Sequence, residues 1–257
     1  MDEDERLRRG SSFGAVAQAY EQLRPGYPQA AVRWALAGAD PAGLRVLDLG
    51  AGTGKLTAAL TALGATVTAV EPDASMLAEL RRLYPGVETA SGSAEAIGLP
   101  DASVDAVVCG QAMHWFDMDR AVPEIARVLV PGGPVAGLWN ADDDRAEWVS
   151  GLHERSRGAS APALSRRRSE LASFDPRQFG TQLFGAVERA EFEHEQPHTA
   201  DSLLALMGTH SQFLVMPEGQ RGALLAQVRD YLAARPETAA GQFSLPLVTA
   251  VVRAIRQ

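Results

Sequence analysis

The sequence predicts an α/β fold, a doubly wound and mostly parallel sheet that carries a helical cap. Three observations predict it. Short apolar strands alternate with helical segments from Leu44 to Trp139, at the spacing of consecutive βαβ units. A glycine-rich turn, Gly50-Ala51-Gly52-Thr53-Gly54, joins the first strand to the helix that follows it. Val104 to Cys109 is a near-continuous apolar run, the pattern of a strand covered on both faces.

The elements follow in order. Residues 1–11 read as a polar tail. Phe13, Val16, Ala17, Tyr20 and Leu23 share one helical face, which Pro25-Gly26 interrupts. Pro28 opens a second helix towards Gly38. Leu44–Leu49 is the first strand, and Lys55–Leu63 the helix beyond the glycine turn. Thr66–Val70 is the second strand, and Asp73 caps a helix that ends near Leu83. Val87–Ala90 and Val104–Cys109 are strands three and four. A helix over 121–130 stops at Pro131-Gly132-Gly133, and Pro134–Trp139 is strand five. The rhythm then breaks: 141–185 is polar and rich in Arg, Ser and Ala, with no strand pattern. Val187–His194 resumes as a strand, 201–209 and 217–234 are helical, and Leu245–Ile255 is the last strand, with Pro246 limiting where its ladder begins. This divides the chain into an N-terminal helical lid (1–40), a core (41–140), and cap helices with the last two strands (141–257).

Composition narrows the function. A net charge of −8 without a basic stripe disfavours a nucleic-acid partner. Arg166-Arg167-Arg168, the one basic run, reads as a solvated loop or helix end. No apolar stretch approaches the roughly 20 residues that span a bilayer, so no membrane partner is expected. The N-terminus lacks the apolar region of a signal peptide, and the single cysteine, Cys109, sits in an apolar run. A cytoplasmic protein is expected. His153, His194, His198 and His210 have no metal-ligand spacing, so no metal is expected.

The turn carries the chemistry. Glu71 ends the second strand, 21 residues after Gly50, where an acid can accept hydrogen bonds from both hydroxyls of a ribose. A phosphate-binding GxxxxGK[ST] loop fails, because Lys55 precedes Leu56. A dinucleotide turn needs GxGxxG, whereas this one is GxGxG. Asp48, two residues before the first glycine, would also repel a pyrophosphate, but suits a ligand that carries an ammonium and a sulfonium. A nicotinamide oxidoreductase is therefore disfavoured.

Val46-Leu47-Asp48-Leu49-Gly50-Ala51-Gly52-Thr53-Gly54 resembles the first motif of class I S-adenosylmethionine (SAM)-dependent methyltransferases, and Val70-Glu71-Pro72-Asp73 through Met76-Leu77 their second. Gly92-Ser93-Ala94-Glu95 and Ser103–Val108 resemble the third and fourth, and Arg127-Val128-Leu129 with Pro131-Gly132-Gly133 resembles the lead into strand five. The likeness covers roughly 44–140 with every motif in order. It implies a Rossmann-like, seven-stranded sheet with an antiparallel last strand, and SAM as cofactor with S-adenosylhomocysteine as product. Phe13–Pro28 and Gln111–Phe116 resemble a small-molecule branch, of methyltransferase type 11, related to trans-aconitate methyltransferases. Ser93 departs from it, standing where many relatives carry Asp.

The resemblance implies cofactor contacts at Tyr20, Arg24, Tyr27, Asp48, Gly50, Ala51, Gly52, Thr53, Glu71, Pro72, Met76, Ser93, Ala94, Glu95 and Gln111. Arg24 pairs with the SAM carboxylate in this reading. Met76 either lines the adenine pocket or belongs to the core. His114, just past strand four, is the candidate general base, against the alternative that it only holds its loop. The expected reaction is methyl transfer to a small organic acceptor, on O or N, the alternative being a SAM-binding protein without catalysis.

Overall fold

Strand β1 (Arg45–Leu49) sits inside a seven-stranded sheet of order β3-β2-β1-β4-β5-β7-β6. The computed structural model describes residues 23–156, 167–169, 182–208, 213 and 216–257. The helix expected over 13–23, with Tyr20 on it, lies outside the described residues except for Leu23. Strands β2 (Thr66–Val70), β3 (Glu88–Ala90), β4 (Ala106–Gly110) and β5 (Pro134–Asp142) run parallel to β1. The last strand, β7 (Gln242–Ile255), is antiparallel to β5 and to β6 (Glu188–Thr199) on its other side. The sheet is the Rossmann-like arrangement that the motifs implied.

Alternation along the strands builds two apolar layers. Val46, Val108, Ala136, Leu138 and Val251 face helices α1 (Gln29–Ala35) and α2 (Lys55–Ala62). Leu47, Val107, Cys109, Val135 and Val252 face the opposite side, against α4 (Met118–Val128). Between β2 and β3 runs α3 (Ala74–Leu83), whose cap is as expected: Asp73 accepts hydrogen bonds from the Ser75 and Met76 amides. Such a cap is worth about 0.5–2 kcal/mol. Helix α4 starts three residues before the expected 121 and holds exposed Pro123, whose missing donor falls on the solvent face.

The second half departs further from expectation. Helix α5 (Glu147–Ser156) lies in the polar stretch without a strand pattern, where a cap is expected but no helix is placed, and α6 (Ala200–Gly208) and α7 (Glu218–Ala233) complete the cap. Trp148, Leu152, Leu203, Leu204, Val228 and Leu232 form its core together with Phe243, Leu245 and Leu247 of β7. Strand β6 continues five residues past His194, and β7 begins at Gln242, three residues before the expected Leu245. The ladder tolerates Pro246 because its nitrogen faces the β5 side, where pairing ends at Asp142 opposite Leu247. On that side the Pro246 carbonyl accepts the Asp143 amide at 2.9 Å. Among the described residues no helix is long and apolar enough to cross a membrane.

Candidate functional site

The carboxyl ends of β1, β2 and β4 meet at the glycine turn. Gly50, Gly52 and Gly54 all have positive φ, at 71°, 58° and 100°. The Gly50 and Ala51 amides both donate to the Val70 carbonyl, which ties the turn to the end of β2. A Cβ on Gly50 would stand 2.6 Å from the Ala112 Cβ. Glycine is therefore required there by the close approach of the segment after β4 as well as by the dihedral angle.

Two carboxylates stand beside this turn. Glu71, 7% exposed, accepts the Gly52 amide on one oxygen and the Asp73 amide on the other, each at 2.9 Å. Burial pushes its carboxyl above the ordinary range, and the two amides hold it down. Asp48 is fully buried, and its Oδ2 accepts the Thr57 hydroxyl at 2.6 Å. Among the described residues its Oδ1 has no hydrogen-bond partner. Burial pushes the Asp48 carboxyl up to about 7; the Thr57 hydroxyl and amide oppose the shift, and the nearby Glu71 charge adds to it. An acid in this state takes a proton or a cationic ligand at little cost, because either cancels the buried charge.

The other expected residues fall around this centre. Met76 is buried, its sulfur 3.8 Å from where a Cβ on Gly52 would lie, so it packs beneath the turn. Thr53, Ala51 and Ala94 are buried, and Pro72 is exposed at the rim. Ser93 bridges to Ala96 in the loop after β3, and its hydroxyl faces the Glu95 carboxylate. Glu95 itself accepts the Asp117 amide at 2.8 Å, which fastens that loop to the start of α4. Gln111 follows β4 with a φ of 56°, and its side-chain amide donates to the Asn140 carbonyl at 2.9 Å. A positive φ at glutamine is strained backbone, held by that bond and by its own amide on the Leu138 carbonyl. His114 lies on a single 3₁₀ turn (Met113–Trp115), exposed, with its ring 4.9 Å from that of Trp115.

Tyr27 reaches the same edge: a Cβ on Gly110 would come within 2.6 Å of its hydroxyl. Arg24 is half-buried on the strap that leads to it. Residues that the sequence did not single out hold this strap in place. The Asn140 amide donates to the Pro25 and Gly26 carbonyls at 3.3 and 3.0 Å. Its Oδ1 accepts the Thr249 hydroxyl at 2.5 Å, and the Thr249 oxygen meets His194 Nε2 at 3.0 Å. Gln196 donates to the Leu23 carbonyl at 3.1 Å. On α5, buried His153 hydrogen-bonds Asp142 at 2.9 Å. The alternation in Phe192-Glu193-His194-Glu195-Gln196-Pro197-His198 was a usable signal for one polar face, had the strand been carried past His194. Of the basic run, Arg168 pairs with Glu191, Arg167 is half-buried with guanidinium nitrogens enclosed, which a fully solvated segment would not show, and Arg166 lies outside the described residues.

Comparison with known proteins places this geometry among relatives. The methyltransferase domain family matches residues 47–136. An uncharacterized methyltransferase of Mycobacterium tuberculosis is 42% identical over 244 residues, covering 95% of either chain. An uncharacterized methyltransferase of Schizosaccharomyces pombe is 31% identical over 235 residues, 88% of this chain and 89% of that one. A solved structure from Anaeromyxobacter dehalogenans, assigned to the type II methyltransferases, superposes with a TM-score of 0.64 at 29% identity, covering 91% of this chain and 97% of the other.

Proposed function

The chain belongs to the class I SAM-dependent methyltransferase family, and from that premise we propose that it transfers a methyl group from SAM to a small organic acceptor, on oxygen or nitrogen. The observation that carries the cofactor assignment is Asp48, a fully buried carboxylate whose Oδ1 has no partner. Such an oxygen calls for a donor, and the ammonium of SAM is a donor that also cancels the charge. Glu71 fits the ribose for a related reason. Each of its oxygens is already oriented by one backbone amide and keeps lone pairs for a hydroxyl. Met76, Ala51, Gly52, Thr53, Pro72, Ser93, Ala94, Glu95 and Gln111 line the remainder, and Arg24 and Tyr27, on the strap ahead of α1, serve as the lid expected over 1–40, to which Tyr20, outside the described residues, is also assigned.

When bound, SAM supplies a methyl group already activated by its sulfonium leaving group. The protein's share is alignment, exclusion of water and, where the acceptor must lose a proton, a base. The strap held by Asn140 and Gln196 supports the covering role, and the cap helices of 141–257 close the acceptor side. His114, at the mouth beyond β4, takes the role of base.

Isothermal calorimetry tests the reading. SAM binds and NAD does not, and Glu71→Ala weakens SAM by about 1.5–3 kcal/mol, the range for a hydrogen bond to a charged group. Unchanged SAM affinity in a folded Glu71→Ala protein would remove Glu71 from the site, and no SAM binding by the wild type would remove the function.

A further inference from the structure

Strand β6 presents two buried polar atoms that no described residue satisfies. Gln196 and His198 are two residues apart, so they share a face, opposite Leu245 and Phe243 of β7. Gln196 spends its amide on the Leu23 carbonyl, and its Oε1 is buried without a partner. His198 is 4% exposed, and its Nε2 is likewise buried without a partner.

The tautomer of His198 follows from its neighbours. Ser202 Oγ accepts the Thr199 amide at 2.9 Å and gives its one proton to the Thr199 carbonyl at 3.1 Å. With the Ser202 proton on the Thr199 carbonyl, the contact of 3.0 Å between Ser202 Oγ and His198 Nδ1 uses a proton on Nδ1. In the neutral ring this leaves a lone pair on Nε2. Burial lowers the His198 pKa, while the charge of Asp142 works in the opposite sense, so the neutral form is the relevant one near pH 7.

Two buried lone pairs side by side ask for donors, since a buried acceptor left unmade costs about 1–3 kcal/mol. The surroundings are apolar: Phe243 stacks edge-on against Trp148 at 5.6 Å, and Leu245 and Leu204 belong to the same core. The face also lies close to the cofactor edge. Gln196 holds Leu23, Tyr27 covers Gly110 at the end of β4, and the four-residue step between them spans at most about 14 Å of backbone.

We propose that this face of β6 is an acceptor-binding subsite, in which His198 Nε2 and Gln196 Oε1 receive hydrogen bonds from a molecule with an aromatic or aliphatic body and one or two O–H or N–H donors. That the molecule is the methyl acceptor rests on the methyl-transfer reading above; that donors bind here does not. The site selects against anions, because both of its free atoms are acceptors and the Asp142 carboxylate acts on His198.

The test uses the full chain labelled with ¹⁵N-histidine, titrated with catechol and with 1,2-dimethoxybenzene, a matched pair that differs in its donors. The His198 signals are identified by their loss in His198→Gln. The expected result is an unprotonated Nε2 whose resonance moves with catechol and stays with 1,2-dimethoxybenzene. Gln196→Met, verified as folded by its thermal transition, weakens catechol at least tenfold. A protonated Nε2, no response to catechol, or equal response to both compounds overturns the subsite and leaves a bridging water as the occupant. Calorimetry with SAM on the same wild-type sample reads the methyl-transfer proposal separately. SAM that binds while catechol leaves His198 unmoved condemns only the subsite.

Discussion

Around the glycine turn, the polar groups are close in sequence and backbone amides share in holding them; beyond β5, they come from distant parts of the chain and hold one another by their side chains. Gly52 and Glu71 are 19 residues apart, and Asp48 and Thr57 nine. Asn140 and Thr249 are 109 apart, and Gln196 and Leu23 are 173 apart. The first region is built from a strand, a turn and a helix, whose geometry follows from glycines and strand ends. The second exists only once β7 has inserted between β5 and β6. A cofactor cradle of the first kind can be kept while the second kind is rewritten, which is how one fold serves many acceptors.

His114 lies on the turn just past β4, and its replacement is expected to have the largest effect. On the proposed role of His114 as base for acceptor deprotonation, His114→Ala lowers the single-turnover rate by about 10²–10⁴-fold with SAM affinity nearly intact. The wild-type rate should show a limb near neutrality that the mutant lacks. A loss below fivefold would make the ring a loop support stacked on Trp115, and would leave proton transfer to the second region.

Asp48 sharpens the comparison from the cofactor side. Its folded-state value of about 7 lies above that of an ordinary carboxylate, so the folded protein holds the extra proton. Its contribution to stability is therefore fully present below about pH 4 and is lost as pH rises through 7. Asp48→Asn should be more stable than wild type at pH 8, by up to about 4 kcal/mol, with no advantage at pH 4. Urea unfolding at the two pH values measures this. On the proposed pairing of Asp48 with the SAM ammonium, the same variant should bind SAM more weakly at pH 8. Equal stability profiles would mean that Asp48 ionises normally and the unpartnered oxygen is hydrated.

Asn140 is expected to give the smallest of these effects and to act only on the second region. Asn140→Leu removes the bonds to the Pro25 and Gly26 carbonyls and to Thr249, at a cost of about 1–3 kcal/mol. Hydrogen exchange should accelerate over 23–28 and remain unchanged over 48–54. Acceleration at the glycine turn as well would show that the two regions are not separable.

How much could be read in advance follows the same division. Asp73 as the cap of α3, Thr66–Val70 as β2 and Cys109 as a buried thiol depend on residues adjacent in sequence, and the structure has them as expected. Helix α5 is not legible because its apolar residues, Trp148, Val149 and Leu152, are flanked by acidic and basic residues, and their packing partners on α6, α7 and β7 lie far along the chain. The reach of β6 and β7 was cut short at His194 and Leu245, because polar residues and a proline read as strand ends when the partner strand is unknown. Pro246 is tolerated only because β5 stops where its nitrogen points.

The sequence by itself determined the sheet type, the place of the turn and the acids beside it, since strand-turn-helix geometry is dictated by glycine dihedrals and short-range alternation. Only the tertiary structure decided that Asp48 is buried with one oxygen unpartnered, that Asn140 grips the strap ahead of α1, and that His198 Nε2 is buried without a partner among the described residues. Each of these depends on desolvation or on hydrogen-bond partners brought from distant parts of the chain, and neither is encoded in any local stretch of residues.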